Sequence, residues 1–265
     1  MHLRAAQWQA LLRLDDTTQL PRMHAKFTVS RRWRMEQLPI VKLDISRMPS
    51  MHIKNVIKVI ARFSATAPYG GYTQGNLYLL YAVGLVYDDE VRVYWAFERL
   101  VHRVNRYGPS SAAGACLMPE WVIDIAQHYA PIDRGTWQLL MRLRWIYVLF
   151  GQTFTTRAGL LSACDFALHG KSDIGIFALC AALLERASSI DTSMCQCSLE
   201  KASAIIGNKV LSDEDAALVI SRAQLFLLCR GSLAISTVQR RVLPMDATLH
   251  LGHGSTAAVT PALLS

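Results

Sequence analysis

Two polar side chains that could take part in chemistry stand on either side of a short amphipathic stretch. Arg47 closes the segment Val-Lys-Leu-Asp-Ile-Ser-Arg, and Gln74 lies within Tyr-Gly-Gly-Tyr-Thr-Gln-Gly. A guanidinium group is a planar, permanently charged fork that binds oxyanions. A side-chain amide both donates and accepts hydrogen bonds, so it can hold a water molecule. The pair therefore offers a positive charge and a water-binding group.

Local sequence features are expected to place both side chains at a turn or a helix end. Pro49 follows Arg47 closely and interrupts regular helix, because proline lacks a backbone donor and restricts the residue before it. The two glycines at residues 70–71 predict a flexible turn. Gly75 allows a backbone or a ligand to approach closely beside Gln74.

The stretch between the two side chains has the apolar spacing of an amphipathic helix. Its apolar positions are Ile53, Val56, Ile57 and Ile60, and its basic positions on the other side are Lys54, Lys58 and Arg62. Apolar residues that recur three and four apart lie on one face of a helix. A packed helix in this place would hold the arginine and the glutamine at a fixed separation.

The two segments resemble the double motif of the TBC domain, the GTPase-activating module that acts on Rab-type small GTPases. The family pattern is Ile/Val-x-x-Asp-x-x-Arg followed by Tyr-x-Gln-Gly. The matching residues here are Val41, Asp44 and Arg47, then Tyr72, Gln74 and Gly75. Either motif alone is short and unspecific, and their order with a helix between them makes the combination more specific.

The resemblance extends over roughly residues 1–228. Its further matches are Arg4, Trp8, Leu11 and Leu12 in an opening R-x-x-x-W-x-x-L-L pattern, Trp95 in an aromatic helix, Trp145–Phe150 as W-x-x-x-L-F, and Leu160–Phe166 as the W-D-x-x-F helix. The chain departs from the family at Cys164, where the tryptophan is replaced, and at Thr73, where cysteine is frequent. The interval from Arg47 to Gln74 is also shorter than is usual in the family.

The resemblance implies an all-α fold of two helical subdomains around a cleft, and a role in a partner's GTP hydrolysis. Arg47 would be an arginine finger, and Gln74 would take over water positioning from the glutamine of the GTPase. Asp44 would orient Arg47, while Tyr72 and Gly75 would shape the Gln74 loop. No cofactor is expected in this chain, because GTP and magnesium would be bound by the partner. From spacing alone, an ordinary ion pair between Asp44 and Arg47 is an equally good interpretation.

Two alternatives to a GTPase activator stay open on this evidence. The first is a catalytically inactive scaffold of the same fold, docked in a larger cytoskeletal or trafficking assembly through its basic N-terminal region or its C-terminal tail. The second is a helical adaptor whose similarity to the family is fortuitous. The two alternatives share with the first hypothesis an all-α fold and a protein partner.

The charge of the chain is concentrated at its N-terminal end. Residues 1–62 hold twelve Lys and Arg against four Asp and Glu, so they carry the whole formal net charge of +8. Such a region attracts acidic partners, among which a GTPase or a tubulin-like surface would fit. No recognised nucleic-acid-binding motif accompanies the charge, and no nucleic-acid partner is expected.

Hydropathy and cysteine usage indicate a cytoplasmic protein, free or at the periphery of membranes or the cytoskeleton. The longest uncharged apolar run, Leu77–Tyr87, is eleven residues, which is too short to span a bilayer. The six cysteines show no disulfide framework for a chain of this length. Cys195 and Cys197 lack zinc-site spacing. Cys164, Cys180 and Cys229 lie among apolar residues, as small core side chains do.

Apolar spacing along the whole chain predicts helices and no convincing strand. Helices are predicted over residues 3–14, 76–87, 91–104, 121–129, 136–150 and 174–187, and over a last one opened by Ser212 that runs to about Cys229. Beyond residue 231 the pattern weakens and Gly, Ser, Thr and Pro increase. We therefore predict a helical domain at residues 1–228 and an extended tail at residues 229–265.

Overall fold

The computed structural model describes residues 2–14, 38–46, 48, 56–66, 72–105, 118–169, 173–187 and 190–230. Eleven α-helices occupy these ranges: α1 His2–Leu11, α2 Leu38–Ser46, α3 Val56–Thr66, α4 Asn76–Gly84, α5 Glu90–Asn105, α6 Glu120–Tyr129, α7 Arg134–Met141, α8 Arg157–Leu168, α9 Ile174–Arg186, α10 Ser198–Gly207 and α11 Asp213–Arg230. Strand-type pairing among the described residues is limited to one isolated bridge, between Phe154 and Val210. The predicted all-α class is confirmed.

The chain divides into two units, Met1–Leu228 and Cys229–Ser265. The first unit contains ten of the helices and most of α11. Of the second, the structure describes only residues 229 and 230, the end of α11. The extended tail that we predicted for residues 229–265 lies outside the described residues, apart from those two, and stays a prediction.

Helix α4 is the central helix that its apolar sequence predicts. Seven of its nine residues are buried. A helix that is apolar on all sides must be covered on all sides, because no face of it benefits from contact with water. Helix α5 packs along α4, and α8 contacts it as well. Residues 72–75 lead directly into α4, so the packing of α4 fixes this segment to the core of the first unit.

Side-chain hydrogen bonds cap the N-terminal ends of several helices around this core. The hydroxyl of Ser212 accepts a hydrogen bond from the backbone N–H of Asp215 at 3.0 Å, which supports the start of α11 as predicted. The carboxylate of Asp215 pairs with Arg186 of α9 at 3.1 Å. Thr156 accepts in the same way from the N–H of Gly159 at the start of α8, at 3.0 Å.

The predicted helix over residues 136–150 is wrong in its second half. The α-helix ends at Met141, and the chain continues as a π-helical segment, Arg142–Ile146, followed by turns through residue 153. Leu149 and Phe150 have left-handed backbone conformations, with φ of 46° and 60°. Apolar periodicity did not reveal this change, because it reports which side chains are buried and not the backbone conformation. Trp145, Ile146 and Phe150 are buried here although the backbone is not α-helical.

The described helices and cysteines test the predictions made about membranes and thiols. Within the described ranges, no helix is both long enough and apolar enough to cross a membrane. Cys164 and Cys180 are completely buried, which confirms them as core side chains, whereas Cys197 is exposed and Cys195 partly so. The side chain of Cys229 lies outside the described part of the structure, and its predicted core position stays a prediction.

Candidate functional site

A hydrogen bond between Tyr72 and Asp44 joins the two motifs. The phenol of Tyr72 donates to Oδ2 of Asp44 at 2.8 Å, and both side chains are buried. Asp44 lies on α2 because Val41 and Asp44, three residues apart, face the core together. Tyr72 lies in the segment that leads into α4. The segments that carry the two motifs therefore meet at this buried bond.

Burial controls the protonation of Tyr72. It raises the pKa of Tyr72 well above its ordinary value, and the hydrogen bond to Asp44 and the negative charge of that carboxylate raise it further. The phenol therefore stays neutral and keeps the proton that it donates. A hydrogen bond to a carboxylate is about twice as strong as one between neutral groups, which makes the pair an anchor between α2 and the Gln74 segment.

Arg47 lies outside the described residues, one position beyond the end of α2. Its predicted ion pair with Asp44 therefore stays a prediction. What the structure adds is the Tyr72 hydroxyl as a partner of Asp44, which the spacing of the first motif did not predict. The tyrosine of one motif thus contacts the aspartate of the other, across 28 residues of sequence.

Gln74 is exposed and lies in the turn that opens α4. The backbone of this turn is tied by two hydrogen bonds, from the N–H of Asn76 to the carbonyl of Thr73 at 2.9 Å and from the N–H of Tyr78 to the carbonyl of Gly75 at 3.2 Å. Its side chain is thus presented at the surface from an ordered backbone, which is what a group that acts on a partner needs.

The other motif residue of this turn, Gly75, packs against the ring of Tyr147. A Cβ atom built on Gly75 would lie 2.8 Å from Cδ1 and 2.9 Å from Cε1 of that ring, which is too close for any larger residue. The hydroxyl of Tyr147 is also 2.6 Å from Oγ1 of Thr73. Tyr147 was missed by the sequence analysis, although a hydroxyl-bearing ring in the apolar segment Trp145–Phe150 is a signal that could have singled it out.

A second contact joins the first and last segments of the family resemblance. Asp165 of α8 accepts a hydrogen bond from Nε of Arg4 at 2.8 Å and another from Nε1 of Trp8 at 2.6 Å. Trp8 is completely buried. The opening pattern on α1 and the Cys164-Asp165-Phe166 segment therefore form one structural cluster, although they are about 160 residues apart in sequence.

The aromatic position Trp95 is buried on α5 and contributes to the core. In the part of the chain that the structure describes, no three His, Cys, Asp or Glu side chains are placed to hold a metal ion together.

The chain matches no known protein-family model, and a search among curated proteins finds no match to it.

Proposed function

We propose that the chain is a GTPase-activating protein of the TBC type, which acts on a Rab-type small GTPase. The observation that carries the proposal is the buried hydrogen bond between Tyr72 and Asp44. It joins the segment that ends in Arg47 to the segment that presents Gln74. Two groups that act on one reacting phosphate must be held close to each other. The cluster of Arg4, Trp8 and Asp165 supports the same proposal.

In this mechanism the chain adds two groups to the active site of the partner. A water molecule attacks the γ-phosphoryl group of GTP, the bond to the bridging oxygen of GDP breaks, and phosphate and GDP are the products. Arg47 neutralises the charge that develops on the transferring phosphoryl group. The amide of Gln74 accepts a hydrogen bond from the attacking water and orients it in line with the bond that breaks.

The remaining motif residues would support these two groups. Tyr72 holds Asp44 in place on α2, and Asp44 orients Arg47. Gly75 allows the Gln74 turn to pack closely against the ring of Tyr147. Nucleotide and magnesium belong to the partner, so the chain has no cofactor of its own. Action on a Rab-type GTPase would place the protein in the cytoplasm, at the membranes where such partners act in vesicle trafficking.

The proposal is tested by single-turnover GTP hydrolysis with a panel of purified Rab-type GTPases. We expect one of them to be stimulated by the wild-type chain. Arg47→Ala should remove about a thousandfold of that stimulation, as expected for an arginine finger. Gln74→Ala should remove roughly a hundredfold, comparable to the loss of one group that stabilises a transition state.

Matched substitutions of exposed residues control for general effects of the changes. Arg92→Ala removes an exposed arginine from α5, and Gln7→Ala removes an exposed glutamine from α1. Both should leave the stimulated rate unchanged. A folded chain that stimulates none of the GTPases, or one whose activity survives both Arg47→Ala and Gln74→Ala, would contradict the proposal.

A row of exposed leucines favours a second candidate function, the scaffold that docks on a larger assembly. Leu218 and Leu225 are seven residues apart on α11, and Leu228 follows one turn later; they are 64%, 48% and 71% exposed. Exposed apolar rows of this kind mark protein interaction sites. Co-sedimentation with microtubules or actin filaments that is lost in Leu218→Ser/Leu225→Ser, and kept in Leu199→Ser of α10, would support it.

A further inference from the structure

The turn that follows the π-helical segment packs against the start of α4 at two places. Gly75 lies against the ring of Tyr147, as described above. At the second place the roles are exchanged: a Cβ atom on Gly151 would lie 2.7 Å from Cβ of Tyr78. Each segment thus contributes one glycine and one tyrosine. Contacts this close fix the relative position of the two backbones, because no atom can be added between them.

A chain of hydrogen bonds reinforces the first of these contacts. Oγ1 of Thr73 donates its one hydrogen to Oδ1 of Asn76 at 3.0 Å. The hydroxyl of Tyr147, 2.6 Å from the same oxygen, must therefore be the donor to Thr73. Tyr147 and Asn76 are both buried. Thr73, which links them, is exposed, so the two bonds are partly buried. Hydrogen bonds in surroundings of low dielectric constant are stronger than in water.

Gln74 lies between the two residues that Tyr147 contacts. The ring of Tyr147 touches Gly75, and its hydroxyl binds Thr73. The backbone is thus held on both sides of an exposed amide, while the side chain itself points to the surface. A group on a mobile turn would have to be ordered again in each catalytic event, and a held one is already in place.

From this geometry we propose that Tyr147 is a positioning residue for Gln74. It fixes the turn through the hydroxyl bond to Thr73 and through the ring contact with Gly75. The inference rests on the proposed function, since it names the residue that orients the water-positioning amide. It assigns Tyr147 no contact with the nucleotide.

The backbone behind Tyr147 is itself unusual in a way that fits this role. Tyr147 follows a π-helical segment, Arg142–Ile146, and precedes two residues with left-handed φ values, Leu149 and Phe150. Non-glycine residues adopt this conformation at a cost, and π-helical insertions and such residues are both frequent at functional sites. Gly151, which packs on Tyr78, comes directly after these two residues.

The test uses Tyr147→Phe, which removes the hydroxyl and keeps the ring, and Thr73→Val, which removes its acceptor. Amide hydrogen exchange of residues 73–76 reports directly on the turn and requires no GTPase. We expect exchange there to become about tenfold faster in each variant. Thr73→Val also removes the bond from Thr73 to Asn76, so the double variant should exchange no faster than Thr73→Val alone.

Kinetics with the GTPase that responds to the wild-type chain provide the second measurement. We expect Tyr147→Phe to lower kcat of the stimulated reaction about tenfold and to leave KM unchanged, since it displaces Gln74 without removing a contact to the partner. Thr73→Ser keeps the hydroxyl and should retain both the exchange rate and kcat.

Tyr87→Phe is the matched control. Its hydroxyl donates to the carbonyl of Ala5 at 3.0 Å, from a buried ring beyond the other end of α4. It should change neither the exchange of residues 73–76 nor kcat. Unchanged exchange in Tyr147→Phe, or a kcat equal to that of Tyr87→Phe, would overturn the inference. Faster exchange in a chain whose wild type stimulates no GTPase would overturn the proposed function and support the role of Tyr147 in holding the turn.

Discussion

The hydroxyl of Tyr72 donates a 2.8 Å hydrogen bond to the buried carboxylate of Asp44, and the two residues belong to different motifs. The bond fixes the end of α2 next to the turn that opens α4. Neither of these residues is a catalytic group in the mechanism we propose. Their hydrogen bond fixes the positions of the two segments that carry the proposed catalytic groups.

Removing the Tyr72 hydroxyl should reduce the stability of the fold. We expect Tyr72→Phe to lower the free energy of unfolding by about 2 kcal/mol, because a bond to a charged acceptor contributes more than a neutral one. Tyr87→Phe, which loses a bond to a backbone carbonyl, should cost about half as much. Urea denaturation of both variants measures the difference, and equal costs would mean that the Asp44 bond has no special strength.

Adding one methyl group at Gly75 should disturb the Gln74 turn. The new Cβ would lie within 2.9 Å of two ring atoms of Tyr147, so the turn or the ring must move. We expect Gly75→Ala to cost about 1–3 kcal/mol of stability, as overpacking does, and to reduce stimulated hydrolysis.

Gly207→Ala is the control for this substitution. At Gly207 a Cβ atom would meet nothing within 4 Å. The change should be neutral or stabilise by up to about 1 kcal/mol, since alanine lowers the entropy of the unfolded chain. Thermal unfolding of both variants decides the matter, and a Gly75→Ala protein as stable as the wild type would show that the packing on Tyr147 is looser than described.

Loss of the Asp165 carboxylate should release the N-terminal helix. Asp165→Ala leaves the buried indole N–H of Trp8 without its acceptor and Arg4 without its ion pair. We expect a cost of about 1–3 kcal/mol, mostly from the buried N–H, and faster proteolysis within residues 2–14. Asp124→Ala breaks a pair with Arg134 in which both side chains are more than a third exposed, and should cost less than about 1 kcal/mol.

The cysteines should differ strongly in reactivity. Burial raises the pKa of the Cys164 and Cys180 thiols, so they remain protonated and shielded. At pH 8 we expect iodoacetamide to modify Cys195 and Cys197 in the native protein and to spare the two buried thiols until urea is added. Peptide mass spectrometry reads the result, and rapid native labelling of Cys180 would contradict the packing of α9.

Much of the helical architecture could be predicted from the sequence, because burial of an apolar face leaves a periodic trace. Helix α5, predicted at residues 91–104, is found at Glu90–Asn105. The π-helical segment was not predictable in this way. Its residues Trp145 and Ile146 are as buried as helical ones, and Trp145 donates to the carbonyl of Ile206, which lies far away in sequence.

The roles of the candidate site residues stay a prediction, and the sequence did not indicate the contact between Asp44 and Tyr72. The motif singled out Asp44 and Tyr72 separately, and the bond between them depends on how α2 packs. Tyr147 occupies no fixed position of a motif, and its contacts with Thr73 and Gly75 bridge more than 70 residues of sequence. A one-dimensional pattern can indicate that a residue is unusual, but the partner is set by the tertiary fold.

The central claim is that Gln74 orients the attacking water in place of the glutamine of the GTPase. The most direct test uses the responsive GTPase with its own catalytic glutamine replaced by leucine. We predict that the wild-type chain still accelerates GTP hydrolysis by this variant, and that Gln74→Ala abolishes the acceleration while Gln7→Ala does not. If the GTPase variant cannot be stimulated by the wild-type chain, the water is positioned by the partner and the role assigned to Gln74 is wrong.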